Sequence, residues 1–272
     1  MTEMKNKIVL ITGSTDGMGK QAAIDLIKKG YYVIIHGRNK EKAEKIAKEI
    51  KDVTQSNMIG EVWADFTNLE QVRKMAEQLH EQYDRIDILI NNAGVYQSSL
   101  QLTEDGLEYT FVINHLSHFL LTNLILDLLK KGTKSRIVNV ASQVQLNNIN
   151  FDTLNAEKGF SGSHAYALSK TCNIMFTYDL AEKLKDTGIT VNCLHPGVIN
   201  TKLLSVGFGP IGQSVNAGAK NEIWVATSPT LDDVTGKYFK NKIVQQSSDV
   251  TYDKTARTRL WEISEKLTKV KY

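Results

Sequence analysis

The sequence predicts an α/β chain forming a single doubly wound domain, with a parallel sheet of about seven strands and helices on both faces. Three observations predict it. Short apolar runs alternate with amphipathic helical patterns along the whole chain. The runs are apolar throughout, as strands covered on both faces are. No Pro- or Gly-rich linker and no internal repeat divides the 272 residues, so one domain over 1–272 is the economical reading.

The elements follow in order. KIVLIT (7–12) reads as a buried strand, and GKQAAIDLIKKG (19–30) as a helix stopped at Gly30. YYVIIHG (31–37) is the next strand and KEKAEKIAKEIK (40–51) a helix with one apolar stripe. IGEVWAD (59–65), DILINNAG (87–94), SRIVNVAS (135–142) and ITVNCLHPG (189–197) read as strands. Between them lie predicted helices at 68–83, 106–132 and 164–188, the second strongly apolar. GKYF (236–239) is a last short strand, and RTRLWEISEKLTK (257–269) a terminal helix. Pro196, Pro210 and Pro229 all fall late, in segments read as loops.

Composition excludes several classes. With 42% hydrophobic and 23% charged residues the chain is ordered and globular. A net charge of +3 gives no reason to expect a nucleic-acid partner. No apolar run approaches the roughly 20 residues of a membrane span, so no integral membrane segment is expected. MTEMKNKIVLITG runs straight into an apolar strand without a signal-peptide cleavage site. Cys172 and Cys193 are the only cysteines and read as buried small hydrophobes in a reducing cytoplasm.

Two glycine motifs compete for a nucleotide. ITGSTDGMGK (11–20) spaces Gly13, Gly17 and Gly19 as G-x-x-x-G-x-G, and GFGPIG (207–212) matches G-x-G-x-x-G literally. A phosphate-binding turn must leave a strand and open a helix, so that backbone N–H groups and the helix dipole meet the anion. The first motif meets both conditions. The second follows TKLLSV, is broken by Pro210 and reads as a flexible loop. Nothing in the sequence explains an acid, Asp16, beside an expected phosphate.

The second strand ends His36-Gly37-Arg38-Asn39. An acid there would bind a ribose 2′-OH. Gly37 stands in its place, and the Arg38 guanidinium can clamp a 2′-phosphate. NADP(H) is therefore preferred, with NAD(H) as the alternative.

Tyr166 and Lys170 stand four apart on a predicted helix and share a face. A neighbouring ammonium favours the phenolate, which suits Tyr166 to exchange a proton with an alcohol or carbonyl oxygen. Ser142 ends a predicted strand, where α/β sheets bind ligands, and its hydroxyl can hold that oxygen. Tyr238 and Lys242 repeat the Y-x-x-x-K spacing in a segment read as a strand, where residues four apart do not pair.

The chain resembles the short-chain dehydrogenase/reductase family. The resemblance is carried by TGSTDGMG (12–19), NNAG (91–94), Asn114, Ser142, Tyr166-Ala-Leu-Ser-Lys170 and His195-Pro196-Gly197, in the family's order. VINHLSHFLLTNLIL (112–126), residues 151–177, SPTLDDVTGKYF (228–239) and LWEISEKL (260–267) are similar to its retinol-dehydrogenase-like and WW-domain-oxidoreductase-like branch. The resemblance implies a Rossmann fold and a Ser142–Tyr166–Lys170 site, with Asn114 holding a proton-relay water. It implies a cofactor lined by Gly13, Ser14, Thr15, Asp16, Gly17, Met18 and Gly19, by Arg38 and Asn39, by Asp65 and Phe66 at the adenine, and by Asn92, Ala93 and Gly94. Tyr166, Lys170 on the nicotinamide ribose, Pro196, Gly197, Val198 and Thr201 at the nicotinamide amide complete the set. The implied substrate-loop region, about 198–222, is rich in Gly, Ser and Asn rather than large aromatics, and a retinoid is not predicted from it.

The expectation is thus an NADP(H)-dependent oxidoreductase acting on a small-molecule carbonyl or alcohol. A non-catalytic NADP(H)-binding sensor or scaffold is the alternative from another class, and a sugar-nucleotide epimerase the rival enzyme. His115 and His118 lack a third ligand at metal-binding spacing and read as packing residues. Trp63, Trp224 and Trp261 read as packing residues too. The apolar stripes of 106–132 and 164–188 exceed what a sheet covers, which predicts a homo-oligomer. No metal is expected.

Overall fold

In the computed structural model, residues 7–156, 159–209 and 211–272 are described. The N-terminal residues 1–6, residues 157–158 and Pro210, all used in the sequence reading, lie outside the described residues. The first strand, β1 (Ile8–Ile11), leads through the glycine turn into α1 (Gly17–Lys28). Then come β2 (Tyr32–Gly37), α2 (Lys40–Thr54), β3 (Ile59–Trp63), α3 (Leu69–Gln82) and β4 (Ile88–Asn91). The second half holds β5 (Arg136–Val140), α7 (Gly162–Lys183), β6 (Thr190–His195), α8 (Lys202–Phe208), α9 (Val215–Thr227), β7 (Lys237–Lys240), β8 (Ile243–Val244) and α10 (Lys254–Thr268). Between β4 and β5, α4 (Tyr109–Phe111), a π-helical turn (Val112–Leu116), α5 (Ser117–Leu124) and α6 (Leu126–Lys130) replace the single predicted helix.

The sheet order is β3-β2-β1-β4-β5-β6-β7-β8. Neighbours from β3 to β7 pair in parallel, and β8 turns back antiparallel on β7. The eighth strand is a two-residue hairpin arm beyond the seven expected. Strand order reverses between β1 and β4, so their C-terminal ends open a crevice in which such sheets bind ligands.

Residue alternation divides the core in two. Leu10, Ile34 and Leu89 point to the face covered by α3, α5, α7 and α10. Val9, Ile11, Ile35, Val138 and Leu194 point to the face covered by α1, α2 and α9. Short polar side chains set the helix starts: Asp16, Asn39, Asn68, Ser161 and Asp253 each accept a backbone N–H of the first turn. Each such cap stabilises its helix by about 1 kcal/mol. The Asp253 cap starts α10 three residues before the predicted boundary, and the Ser161 cap starts α7 two before its own.

α9 is the element the sequence reading misses. Its sequence VNAGAKNEIWVAT carries Gly218, two asparagines and Glu222, which blur the helical apolar stripe. The helix nevertheless packs along α1, where Gly218 leaves room for Met18 and Ile199. The region 198–222 is therefore only partly a loop: α8 crosses the cleft, and from Val215 onward the chain covers the sheet.

The apolar surplus on α5 and α7 is met within the chain. Trp261 of α10 stacks edge-on to Phe119 at 5.0 Å and lies 5.8 Å from Phe176, and the His115 ring shares a hydrogen bond with Ser264 at 3.0 Å. The surplus from which a homo-oligomer is predicted is thus covered by α10. A chain ending at Asp253 is expected to melt well below the full chain, since losing a buried Trp alone costs about 3–5 kcal/mol, and to self-associate through Phe119 and Phe176. Melting and sedimentation velocity check this; an unchanged midpoint contradicts it.

Candidate active site

The glycine turn is built by sterics before it binds anything. Gly13 has φ +64, and a Cβ there would lie 2.7 Å from the Ala93 Cα. The turn thereby packs directly against the segment after β4. The Gly13 N–H donates to His36 Nδ1 (3.0 Å), which leaves Nε2–H to donate to the Ala64 carbonyl (3.0 Å). Burial holds this neutral imidazole at about pKa 4. Thr12 Oγ1 accepts the N–H groups of Asn92 and Ala93, both at 2.9 Å, and donates to His118 Nε2, also at 2.9 Å.

The Asp16 carboxylate has two structural tasks. Oδ1 accepts the Gly17 N–H, and Oδ2 pairs with Lys202 of α8 at 2.5 Å. The Lys202 ammonium holds Asp16 below the usual carboxylate range. The acid beside the turn thus caps α1 and ties the helix crossing the cleft to it.

A cleft of about 1090 Å³ lies over the C-terminal ends of the strands. Gly13, Thr15, Asp16, Gly17, Met18, Gly19, Arg38, Asp65, Phe66, Asn92, Ala93, Gly94, Pro196, Gly197, Val198 and Thr201 all line it, together with Ser142, Tyr166 and Lys170. Three expected residues face elsewhere. Ser14 is fully buried, with its hydroxyl donating to the Ile11 carbonyl and accepting the His36 N–H. The Asn39 side chain caps α2 on the Lys42 N–H. The Asn114 amide closes on the backbone of Val95, accepting its N–H at 2.8 Å and donating to its carbonyl at 3.0 Å, and also donates to Ser169 Oγ.

Asn114 sits inside the π-helical turn, a feature that frequently marks functional sites. Its backbone carbonyl accepts the His118 Nδ1–H at 3.0 Å, the tautomer following from the Thr12 bond on the other nitrogen. The Asn114 side chain thus clamps the backbone of Val95 beside the cleft. His115 and His118 face different partners rather than one metal, His115 meeting Asn173 and Ser264.

Tyr166, Lys170 and Ser142 are all buried at the mouth of β5. Ser142 Oγ accepts the Val144 N–H at 3.1 Å. The Ser142 side chain also bonds the Tyr166 phenol. Lys170 Nζ donates to the Val140 carbonyl at 2.8 Å and lies 5.8 Å from the Tyr166 ring centre. Burial raises the Tyr166 pKa, and the Ser142 bond offsets part of that rise. The Lys170 ammonium is tied to the Val140 carbonyl, and burial lowers its own pKa to about 8. Tyr238, the second Y-x-x-x-K tyrosine, does not pair with Lys242. Its hydroxyl donates to the Ser142 carbonyl at 3.1 Å and steadies the serine from β7.

At the far end, Arg38 Nε lies 3.8 Å from Asp65 Oδ2, and Lys42 stands beside them in the cleft wall. Lys42 is missed by the sequence reading because it sits in a lysine-rich helix where every lysine looks solvated. GFGPIG contains no strand-to-helix turn among its described residues: Gly207 packs on the Tyr96 ring within α8, and Gly209 ends that helix.

A turn opening α1, a doubly wound sheet and a buried Tyr–Lys pair over β5 together define the class of nucleotide-binding α/β oxidoreductases. The family model described as short chain dehydrogenase matches residues 7–206. The chain is 37% identical to human retinol dehydrogenase 14 over 96% of its own length and 86% of that protein, and 37% identical to human retinol dehydrogenase 13 over 96% and 84%. Among solved structures, an uncharacterized protein of Mycobacterium paratuberculosis superposes with TM-score 0.81 at 29% identity, covering 98% of this chain and 94% of that one. A short chain dehydrogenase of Shigella flexneri 2a, complexed with NADP, superposes with TM-score 0.71 at 25% identity, covering 88% and 98%. The chain belongs to the short-chain dehydrogenase family, in its retinol-dehydrogenase-like branch. Among the described residues, no helix is long and apolar enough to cross a membrane.

Proposed function

We propose that the protein is an NADP(H)-dependent oxidoreductase that moves a hydride between nicotinamide and a carbonyl or alcohol carbon through Ser142, Tyr166 and Lys170. The observation that carries this reading is the buried Tyr166 phenol at the cleft, bonded to Ser142 and one helical turn from Lys170. The cleft fits the dinucleotide. The first N–H groups of a helix have no partner inside it, and those of Met18 and Gly19 open toward a diphosphate. Lys170 has N–H groups beyond the one on Val140 for a ribose.

When bound, nicotinamide supplies or accepts the hydride. Tyr166 moves the matching proton. Its raised pKa keeps the phenol protonated, the form that donates to a carbonyl oxygen as the C–O bond gains its negative charge. Ser142, beside the phenol, turns its hydroxyl to donate a hydrogen bond to the same oxygen and orients it. Lys170 places positive charge near the phenolate left behind.

NADP over NAD is supported by Arg38 and Lys42 at the ribose end, and by Gly37. A Cβ at Gly37 would lie 2.9 Å from Thr15 Cγ2 and 3.1 Å from Ala43 Cβ, so an acid that selects a 2′-OH cannot be seated there without displacement. The NADP complex of the Shigella relative fits this choice. A panel of aldehydes, ketones and alcohols run with NADPH/NADP and NADH/NAD in parallel tests the proposal. The expected result is turnover with NADPH preference. Arg38→Ala is expected to cut that preference about 10–100-fold, the value of one or two charge-assisted hydrogen bonds. Wild-type preference for NADH contradicts the cofactor reading, and no turnover with either contradicts the reaction.

A further inference from the structure

Ser142, Gln143 and Val144 all line the cleft, and Gln145, the next residue, turns away from it and back on the serine. Its Nε2 donates to the Ser142 carbonyl at 3.0 Å, and its Oε1 accepts the Ser248 N–H at 2.7 Å. The partners fix which way round the amide sits, because a carbonyl oxygen only accepts and a backbone N–H only donates.

Ser142 stands where the sheet ends. Just past β5, the Ala141 N–H still donates to the Leu194 carbonyl of β6 at 2.8 Å. One residue later the Ser142 carbonyl is held by side chains, those of Gln145 and of Tyr238 on β7. The far end of the Gln145 bridge is itself anchored. Beside Ser248, Ser247 Oγ shares hydrogen bonds with the Tyr178 hydroxyl of α7 at 2.8 Å and with Thr251 Oγ1 at 2.6 Å. The Ser247 N–H donates to the Tyr252 hydroxyl at 3.1 Å, and the Tyr178 and Tyr252 rings stack at 5.3 Å. On the near side, the Leu146 N–H donates to Thr171 Oγ1, also on α7, at 2.9 Å. The helix that carries Tyr166 and Lys170 thus steadies both ends of the bridge.

We propose that Gln145 is a positioning residue for Ser142: its amide, bridging the Ser142 carbonyl and the Ser248 N–H, fixes the peptide from which the Ser142 hydroxyl is aimed at the substrate oxygen. This rests on the reading that Ser142 holds that oxygen. Ser142 Oγ is tied to the Val144 N–H, so a turn of the Ser142–Gln143 peptide carries the hydroxyl with it. A displacement of about 1 Å at a group that orients the reacting atoms costs up to about 100-fold in rate.

Two substitutions remove the hold. Gln145→Leu loses both hydrogen bonds. Gln145→Glu keeps the shape and the acceptor for Ser248, and its carboxylate has no donor for the Ser142 carbonyl. In both, single-turnover reduction of an aldehyde that the wild type accepts is expected to slow about 10–100-fold, with NADPH affinity within about twofold of wild type. In a Ser142→Ala background the same changes are expected to cost less than about twofold, because the hydroxyl they would misdirect is gone. Equal losses in the two backgrounds show that Gln145 serves the fold alone and overturn the proposal, as does an unchanged rate in Gln145→Leu.

A second readout needs neither cofactor nor turnover, so failure of the reaction reading stays distinguishable. Ser142-Gln143 is the only Ser-Gln pair in the sequence. Serine labelled with ¹³C at its carbonyl and glutamine labelled with ¹⁵N therefore give one backbone signal by nuclear magnetic resonance, that of the peptide Gln145 holds. Its carbonyl shift is expected to move in Gln145→Leu and in Gln145→Glu, as the carbonyl loses a donor. A signal that keeps its place in both shows that the amide does not hold Ser142 and overturns the proposal, whatever the turnover.

Discussion

Tyr166→Phe is expected to lower kcat/KM at least about 10³-fold, within the range that a positioned proton donor supplies, while NADPH affinity changes by less than about threefold. The ring stays. Phenylalanine keeps the packing against Tyr96, whose ring centre is 5.9 Å away, and the seat on α7 beside β5. What is lost is the hydroxyl and its bond to Ser142. The glycine turn, Arg38 and Lys42 lie along the other part of the cleft and do not depend on that hydroxyl. Steady-state kinetics with a reducible aldehyde and a fluorescence titration of NADPH check the two halves of this expectation. Retention of more than about a tenth of wild-type kcat/KM would remove Tyr166 from the chemistry.

Acid is expected to unfold the protein earlier than its carboxylates alone would. His36, His115, His118 and His195 are buried and neutral, with pKa values pushed down to about 4, 4, 3 and 4 by burial. In the unfolded chain each titrates near 6.5. Between these values the unfolded chain binds more protons, so stability present above pH 6.5 is lost as pH falls. Glu222 has the opposite sign, because its raised pKa lets the folded chain hold a proton that the unfolded chain releases above about 4.5. Four histidines against one carboxyl leave about three protons, or roughly 4 kcal/mol per pH unit. Against a total of about 5–15 kcal/mol, the midpoint of acid unfolding falls about one to four units below pH 6.5. The cofactor turn should fail with it, since a proton on His36 Nδ1 would face the Gly13 N–H, and one on His118 Nε2 would face Thr12 Oγ1. Urea unfolding at a series of pH values measures the slope. His118→Gln should make it shallower by about one proton, and an unchanged slope contradicts the assignment.

The parts of the site that the sequence reveals are those where residue type and element type demand each other. Gly13, Gly17 and Gly19 between a strand and a helix, and Tyr166 with Lys170 on one helical face, are such cases. The rest depends on where a side chain turns, which spacing does not carry. Ser14 and Asn39 stand among cofactor residues in the chain but spend their oxygens on β2 and α2. The Asn114 side chain, inside the π-helical turn, closes on Val95, a contact that spacing does not show. Asp16 makes sense only once Lys202, 186 positions later, lies beside it. α9 escapes notice because its buried face mixes Gly218, Ala219, Glu222 and Ala226 with only two large apolar residues, Ile223 and Val225. Periodicity shows that a face is apolar without showing what covers it, and part of that face is covered by α10 of the same chain.

The central claim is that a hydride passes between nicotinamide and a carbonyl carbon in this cleft. The most direct measurement follows the label from NADPH deuterated at nicotinamide C4 into product, by mass spectrometry, across a panel of apolar aldehydes and ketones. The account predicts deuterium from one prochiral face of the nicotinamide on the carbinol carbon of at least one product, and its loss in Tyr166→Phe. Products without label, or equal labelling by Tyr166→Phe, would contradict it.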